Sequence, residues 1–474
     1  MIPRSLLREG PGLFLTVLTL ALLGPAAAPA AVRPNIVVIF ADDLGYGDLS
    51  CYGHPTIRTP HLDRMAAEGM RFTSFYAAAE VCTPSRAALL TGRLPPRNGM
   101  ASDKRRVLFP NSAGGLPDKE ITLAEALKAK GYATACIGKW HLGHLPPYLP
   151  TRHGFDSYFG IPYSNDMDRV ADPKLGRSIF FAPKVEYWNV PLMRDDQIIE
   201  RPAHQPTLTK RYTEEAVRFI RANKERPFFL YLAHTMVHVP LFVSAAFAGK
   251  SPRGLYGDAV EEIDWSVGQV LQTLRDEKLA ERTLVIFSSD NGPWLIFNQH
   301  GGSAGLLRDG KGTTWEGGMR VPGIFWGPGL VQAGVVTQEM ASTLDVFTTA
   351  LKLAGAEVPS DRIIDGLDLT PVLTGTGPSP RQTMFYYRGT RLFAVRKGPF
   401  KAHFITQSGY DKDKAVEHDP PLLYHLGHDP AERFDVAKEH PDVIADIKRE
   451  VAAHREKMQL GENQLEKLLP AKKP

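Results

Sequence analysis

The stretch Asn35-Ile-Val-Val-Ile-Phe40 is a continuous apolar run of strand length, followed at once by Ala41-Asp42-Asp43. A strand buried on both faces has this pattern, because neither face needs polar side chains. Three further apolar runs share it, at residues 132–137, 227–232 and 283–288. Helical patterns precede these three runs, at residues 122–130, 209–222 and 258–279. Strands that alternate with helices predict an α/β fold with a large, doubly wound, mainly parallel sheet.

The sequence changes character near residue 375, where Gly375-Thr-Gly-Pro-Ser-Pro380 is rich in turn formers. Beyond it, residues 391–404 suggest two strands with a turn at Lys397-Gly398. Residues 422–426 suggest a further strand, and residues 440–459 a charged amphipathic helix. We therefore predict one large domain over residues 31–375 and a small α+β domain with a short antiparallel sheet over residues 376–474.

The N-terminus has the features of a secretory signal peptide. Arg4 and Arg8 precede an apolar run at residues 13–23, and Ala28-Pro29-Ala30 resembles a cleavage site. The run is shorter than the ~20 residues of a membrane span. We expect residues 1–30 to be removed and the protein to be exported, to the periplasm or outside the cell, without stable membrane insertion.

The amino-acid composition excludes several classes of protein. The 474 residues are 43% hydrophobic and 23% charged, which is typical of globular proteins. A net charge of +4 over this length does not suggest a nucleic-acid partner. Three cysteines, Cys51, Cys82 and Cys136, are too few for a disulfide scaffold. We expect Cys136, inside a predicted strand, to be buried and inert, and assign no role to Cys51.

Polar side chains follow each of the four predicted strands. In chain order they are Asp42 and Asp43, Lys139 and His141, His234 and His238, and Asp290 and Asn291. Ligands bind at the carboxyl ends of strands in open α/β sheets. These residues can therefore converge, provided that the four strands are parallel neighbours.

Four of these residues offer only oxygen-type ligands: Asp42, Asp43, Asp290 and Asn291. Neighbouring carboxylates repel each other when buried, and hard oxygen ligands suit Ca²⁺ or Mg²⁺ rather than Zn²⁺. Each pair alone is more often a helix cap or a plain turn. Their joint placement at strand ends favours a metal site.

The segment Cys82-Thr-Pro-Ser-Arg86 predicts a helix start, with Thr83 as the N-cap and Pro84 at the first helical position. An anion beside Cys82 would be stabilised there, although a lone cysteine before a helix is more often only buried. Together, several residues would form a cationic pocket for a sulfate or phosphate group: Arg86, Lys139, His141, His238 and Lys311.

Cys82-Thr-Pro-Ser-Arg86, with its extension to Leu90-Thr-Gly-Arg93, resembles the C-x-P-x-R activation motif of type I, formylglycine-dependent sulfatases. The similarity points to the branch of arylsulfatase A and N-acetylgalactosamine-6-sulfatase. Among the supporting matches are Ala41-Asp-Asp-Leu-Gly-Tyr-Gly-Asp48, Gly138-Lys-Trp-His-Leu-Gly143, Ser289-Asp-Asn-Gly292 and Gly310-Lys-Gly-Thr-Thr-Trp-Glu-Gly-Gly318. The resemblance runs from about residue 34 to residue 435 and implies an alkaline phosphatase-like fold.

The resemblance implies that a formylglycine-generating enzyme acts transiently on the chain and oxidises Cys82 to Cα-formylglycine. The hydrated aldehyde, bound to Ca²⁺ (or Mg²⁺), would attack the sulfur of a sulfate ester. The implied metal ligands are Asp42, Asp43, Asp290, Asn291 and residue 82, and Arg86 would hold the diol.

The resemblance assigns roles to the remaining residues as well. Lys139, Ser164, His238 and Lys311 would bind the sulfate oxygens, and His238 or Lys311 would protonate the leaving group. His141 would remove the proton from the second hydroxyl, so that the hemiacetal expels sulfate. We favour His238 over His234 because it precedes a Val-Pro pair, as in the family.

Two other functions stay open on sequence grounds. A phosphonate monoester hydrolase or phosphodiesterase of the same superfold can share this metal site, and a chain with unmodified Cys82 would be a non-catalytic binder of sulfated glycans. The leaving group is also open, between an aryl sulfate and a sulfated carbohydrate. Three loops are expected to line the pocket mouth, at residues 98–115, 165–205 and 293–308. Trp294, His300 and Arg308 are candidate contacts there, or simply packing residues.

Overall fold

The structure is a computed structural model, which describes Gly10 and residues 33–411 and 413–470. Apart from Gly10, the predicted signal peptide lies outside the described residues. Within the described part of the chain, no helix is both long and apolar enough to cross a membrane.

The large sheet has ten strands, in the order β10-β2-β9-β8-β1-β7-β3-β4-β5-β6. In chain order the strands are β1 (Asn35–Ala41), β2 (Met70–Tyr76), β3 (Ala133–Gly138), β4 (Ser157–Gly160), β5 (Leu192–Arg194), β6 (Gln197–Glu200), β7 (Phe228–Ala233), β8 (Thr283–Ser289), β9 (Gly323–Trp326) and β10 (Val335–Ser342). The central strands β8, β1, β7, β3 and β4 are parallel, and antiparallel pairs lie towards both edges.

The four strands predicted to carry the site are adjacent and end at the same level. Phe40 in β1 is aligned with Ala233 in β7 and with Ser288 in β8. Gly138 at the end of β3 is aligned with Ala233 as well. The prediction that these strands are parallel neighbours is confirmed, so the polar residues that follow them share one edge of the sheet.

Helices cover both faces of this sheet, as a doubly wound fold requires. The helices of the described residues are α1 (Pro60–Ala67), α2 (Cys82–Thr91), α3 (Pro95–Asn98), α4 (Leu123–Lys128), α5 (Ser178–Phe181), α6 (Leu208–Ala222), α7 (Leu255–Asp276), α8 (Glu316–Met319), α9 (Thr343–Leu353), α10 (Thr370–Leu373) and α11 (Pro441–Glu456). Successive side chains of β1 point to opposite faces. Val37 and Ile39 accordingly join one core with α6 and α7, whereas Ile36 and Val38 join a second core with α2, α4 and α9.

The C-terminal part forms a separate four-stranded antiparallel sheet. Its strands, in spatial and chain order, are β11 (Thr383–Arg388), β12 (Arg391–Lys397), β13 (Phe400–Thr406) and β14 (Val416–His425). The predicted turn is present, since Lys397 pairs with Phe400 and Gly398 has a φ of 55°. Apolar residues of α11 pack on this sheet. The predicted small α+β domain is therefore confirmed, while its boundary at residue 376 stays a prediction.

Candidate active site

Every site residue predicted from the sequence is buried at or near the carboxyl edge of the central strands. They are Asp42, Asp43, Cys82, Arg86, Lys139, His141, Ser164, His238, Asp290, Asn291 and Lys311. So many buried charges require partners, because an isolated buried charge is costly.

Arg86 connects α2 to the strand ends. Its Nε and Nη2 donate to Asp290 Oδ2 at 3.0 and 2.8 Å, and its Nη1 donates to the Lys139 carbonyl at 3.0 Å. The same guanidinium lies 3.5 Å from Asp42 Oδ1. Burial, together with the negative charge of Asp42, raises the pKa of Asp290 to about 7 despite the contact with Arg86.

Lys139 connects Asp42, a predicted metal ligand, to the predicted sulfate-binding residues. Its Nζ donates to Asp42 Oδ2 at 2.6 Å and to Ser164 Oγ at 3.2 Å, and Ser164 Oγ lies 3.5 Å from His238 Nε2. Burial alone would raise the pKa of Asp42, but Lys139 and Arg86 outweigh burial and lower this pKa. Asp42 is therefore ionised.

Lys311 approaches the same centre from the loop before α8. Its Nζ contacts both oxygens of Asp43, at 2.7 and 2.8 Å. Asn291 Nδ2 donates to Asp43 Oδ1 at 2.7 Å, and His238 Nε2 lies 3.6 Å from Asp43 Oδ2. Strand ends and this loop thus converge on one carboxylate.

The oxygen-rich group fits a hard divalent cation. Asp42 Oδ1 and Asn291 Oδ1 are buried, and neither has a hydrogen-bond donor within the described part of the chain. Asp42, Cys82 and Asp290 each bring one ligand atom within 4.8 Å of the other two. Buried acceptors without donors, beside paired carboxylates, are what a bound Ca²⁺ or Mg²⁺ would satisfy.

The start of α2 differs from the prediction. The helix begins at Cys82 with Val81 in the cap position, so Thr83 is not the N-cap. The Thr83 hydroxyl is occupied elsewhere: it donates to the His141 carbonyl at 3.0 Å and accepts from Leu108 N at 3.2 Å. Thr83 therefore ties the first turn of α2 to the segment that follows β3.

The cysteines fall into different environments. Cys82 is 2% exposed, and its burial raises the pKa of its thiol, which is therefore protonated. Cys136 is fully buried within β3, as predicted, and Cys51 is half-buried. None of the three forms a disulfide bond in the described residues.

Hydrogen bonds assign the tautomer of His141. Its Nε2 lies 2.9 Å from the Leu108 carbonyl, which can only accept, so Nε2 carries the proton. Nδ1 is left as a buried acceptor with no donor among the described residues. Burial and the charge of Lys139 lower the pKa of His141 well below its usual value, and the ring is neutral.

Of the two histidines after β7, the structure brings only His238 to this centre. His234 Nε2 instead lies 3.2 Å from Ser266 Oγ on α7. His238 Nδ1 contacts the Val239 carbonyl, which leaves Nε2 facing Ser164 and Asp43.

The three residues predicted to contact a ligand at the pocket mouth have different surroundings in the structure. Trp294 lies against Lys311, whose Nζ is 4.3 Å from the ring centroid. His300 instead packs beside Phe181, with ring centroids 5.3 Å apart. Arg308 stacks on Trp315 at 3.7 Å and donates to the Glu432 carbonyl. His300 and Arg308 are therefore packing residues.

A group of buried residues that no sequence pattern indicated anchors the Lys311 loop. Glu432 Oε2 accepts from Glu316 N at 2.7 Å, and Lys401 Nζ contacts Glu316 Oε1 at 2.9 Å and Glu432 Oε1 at 3.1 Å. All three side chains are buried. The C-terminal sheet thus fixes the base of a loop that belongs to the site.

The sulfatase family model matches residues 34–356, and the model for the C-terminal region of aryl-sulfatase matches residues 379–474. The chain belongs to the sulfatase family. Among its relatives, N-acetylgalactosamine-6-sulfatase of Canis lupus familiaris is 44% identical over 95% of this chain and 91% of its own length. Arylsulfatase A of Homo sapiens is 45% identical over 90% of this chain and 89% of its own length.

Solved structures of sulfatases have the same fold. The PsFucS1 sulfatase from Pseudoalteromonas sp. is 30% identical with a TM-score of 0.79, over 90% of this chain and 92% of that one. A phosphonate monoester hydrolase of Agrobacterium radiobacter is only 20% identical, with a TM-score of 0.61 over 90% of this chain and 96% of that one, and shares the fold alone. The comparisons favour sulfate ester hydrolysis over the phosphonate alternative, and this sulfatase is a hydrolase of sulfate esters.

Proposed function

We propose that this sulfatase hydrolyses its sulfate monoester with a formylglycine made from Cys82 and a Ca²⁺ ion, Mg²⁺ being the alternative metal. The observation that carries the proposal is the meeting of Cys82 with Asp42 and Asp290 within 4.8 Å, enclosed by lysine and histidine side chains. Formylglycine and the metal would together supply an activated hydroxyl nucleophile at working pH.

The chain's own residues hold these groups. Asp42, Asp43, Asp290 and Asn291 are the proposed metal ligands, with residue 82 beside them. Arg86 orients Asp290 through two hydrogen bonds and lies in the first turns of the same helix as Cys82. Its fixed guanidinium is therefore placed to bind an oxygen on residue 82.

The proposed anion pocket consists of four residues, Lys139, Ser164, His238 and Lys311. The three buried carboxylates of the site are balanced by three buried cations, Arg86, Lys139 and Lys311. A bound divalent metal would leave an excess of positive charge. A site of this kind favours an anionic sulfate ester and the negative charge that develops during S–O cleavage.

Lys311 is the proposed proton donor to the leaving oxygen. Its ammonium carries protons in its ordinary state, and burial does not neutralise it because Asp43 holds its pKa well above the usual value. His238 donates its Nδ1 proton to the Val239 carbonyl, so its Nε2 could act as the acid only in the imidazolium form. In that form its Nε2 would donate a hydrogen bond to a sulfate oxygen, which is the role proposed for it in the anion pocket.

His141 is the proposed base that completes turnover. Its Nε2 proton is held by the Leu108 carbonyl, which orients the ring and keeps Nδ1 as the acceptor. Nδ1 would take the proton of the second hydroxyl on residue 82, and sulfate would then leave.

The proposed substrate class and location are inferred from the relatives and from the N-terminal sequence. The relatives named above act, by their names, on an N-acetylgalactosamine 6-sulfate and on aryl sulfates. We propose that the substrate of this chain is likewise a sulfated carbohydrate or an aryl sulfate. We also propose that a formylglycine-generating enzyme matures the chain. The signal-like N-terminus supports export to the periplasm or beyond.

Mass spectrometry of the peptide that contains residue 82 tests the proposal. In a host with the activating enzyme, we expect a loss of about 18 Da, as thiol sulfur is replaced by carbonyl oxygen. Sulfate release from 4-nitrophenyl sulfate should stop with a Ca²⁺ chelator and return when Ca²⁺ is restored. An unmodified thiol that binds sulfated glycan without turnover would instead establish the binder function.

A further inference from the structure

Trp294 covers one side of the anion pocket. Its ring lies 4.3 Å from Lys311 Nζ, and its centroid is 5.2 Å from the ring centroid of His238. Trp294 lies only three residues after the proposed metal ligand Asn291. A sulfate ester held by Lys311 and His238 would therefore lie beside this indole.

The indole nitrogen of Trp294 lacks a partner. Nε1 is buried and finds no hydrogen-bond acceptor within the described part of the chain. A buried donor without an acceptor destabilises the free protein, and a ligand that supplies the acceptor removes this cost. Lys311, the charged side chain that lies against this ring, can only donate hydrogen bonds. A ligand oxygen is therefore the natural acceptor for Trp294 Nε1.

A second ring extends the same wall. The ring centroid of Tyr410, in the loop between β13 and β14, lies 5.3 Å from that of Trp294. Tyr410 is 38% exposed and so reaches the surface. The wall formed by Trp294 and Tyr410 leads from the anion pocket towards solvent.

Arg106 connects the Tyr410 loop to the Lys311 loop. Its guanidinium lies 5.2 Å from the ring centroid of Tyr410. Its Nη1 donates to the Gly409 carbonyl and its Nη2 to the Gly312 carbonyl, each at 2.8 Å. The Tyr410 loop and the Lys311 loop are thus fixed to the same side chain, so Tyr410 is held near the anion pocket before a ligand arrives.

We propose that Trp294 and Tyr410 form the leaving-group subsite and select a pyranose sulfate over an aryl sulfate. The apolar face of a sugar ring would pack on the two aromatic rings, and Trp294 Nε1 would donate to a ring or hydroxyl oxygen. An aryl ring offers the same packing but no oxygen acceptor next to the ester bond. The inference rests on the proposed function and adds the substrate class.

The test compares Trp294→Phe with the wild type on two kinds of substrate. The probes are a panel of hexopyranoses that carry one O-sulfate, and 4-nitrophenyl sulfate. The ratio of kcat/KM on the best sugar to kcat/KM on the aryl ester should fall about 10-fold, as expected for one lost hydrogen bond to substrate. Tyr410→Leu, on an exposed loop, should lower the same ratio about 3-fold through lost ring packing.

Trp188→Phe is the matched control. Trp188 also has a buried Nε1 without an acceptor among the described residues, but its ring packs on Phe180, and Phe297 lies between Phe180 and Trp294. The ratio should not change in this variant. An unchanged ratio in Trp294→Phe, or a wild type that cleaves only the aryl ester, would overturn the subsite and leave the proposed function standing. A correctly matured wild type that releases sulfate from no probe would overturn the proposed function itself.

Discussion

Replacing Cys82 with alanine will abolish sulfate release while the protein still folds. The side chain is 2% exposed, and the change deletes one sulfur atom at the first position of α2, where alanine is well tolerated. What is lost is the precursor of the nucleophile. Removing a nucleophile from an enzyme costs on the order of 10⁴-fold or more in kcat.

The measurement is sulfate release together with thermal unfolding of the same preparations. Cys51→Ala is the matched control, because it deletes the same atom from a half-buried cysteine outside the site. It should keep near-wild-type turnover. Turnover of Cys82→Ala at the wild-type rate would refute the role of residue 82.

Cys82→Ser separates loss of the nucleophile from loss of the release step. A serine hydroxyl can attack sulfur, but the resulting sulfate ester has no geminal hydroxyl to expel sulfate. We expect one equivalent of leaving group, no steady turnover, and a gain of about 80 Da on the peptide that contains residue 82, the signature of a trapped covalent intermediate. A serine variant with steady turnover would mean that the geminal hydroxyl is not needed.

The central strands were predictable because burial on both faces leaves a plain signal in the sequence. β1, β3, β7 and β8 are short apolar runs bounded by polar residues. The outer strands lack this signal. β10 alternates between exposed and half-buried residues in its first half, and β6 is mostly exposed, since each lies at an edge of the sheet. Their positions depend on pairing with distant partners.

The site shows the same division between local and distant information. Asp42, Lys139 and Asp290 were predictable because each follows a recognisable strand. The contact between Glu316 and Glu432 spans 116 residues and has no local pattern. Trp294 and Arg308 were equivalent candidates in one loop, and only the packed structure places the first at the anion pocket and the second against Trp315.

Asp290→Ala should remove the metal and destabilise the fold at the same time. Asp290 is a proposed metal ligand, and it is also the main partner of Arg86, through hydrogen bonds of 2.8 and 3.0 Å between two fully buried side chains. Breaking a buried ion pair by removing one partner costs about 3–5 kcal/mol, because the remaining charge is left uncompensated. Arg86 would keep a 3.5 Å contact with Asp42 and its bond to the Lys139 carbonyl.

The two effects of Asp290→Ala can be separated by calcium. A ligand that binds only the native state raises its stability by RT ln(1 + [L]/Kd), so Ca²⁺ should raise the Tm of the wild type and a chelator should lower it. In Asp290→Ala, elemental analysis should find little bound metal, and Tm should respond to neither addition. The double variant Arg86→Leu/Asp290→Leu, which removes both charges, should be more stable than Asp290→Ala but equally insensitive to Ca²⁺. A calcium-dependent Tm in Asp290→Ala that matches the wild type would exclude Asp290 as a ligand, because the loss of a metal ligand would weaken Ca²⁺ binding and reduce that response.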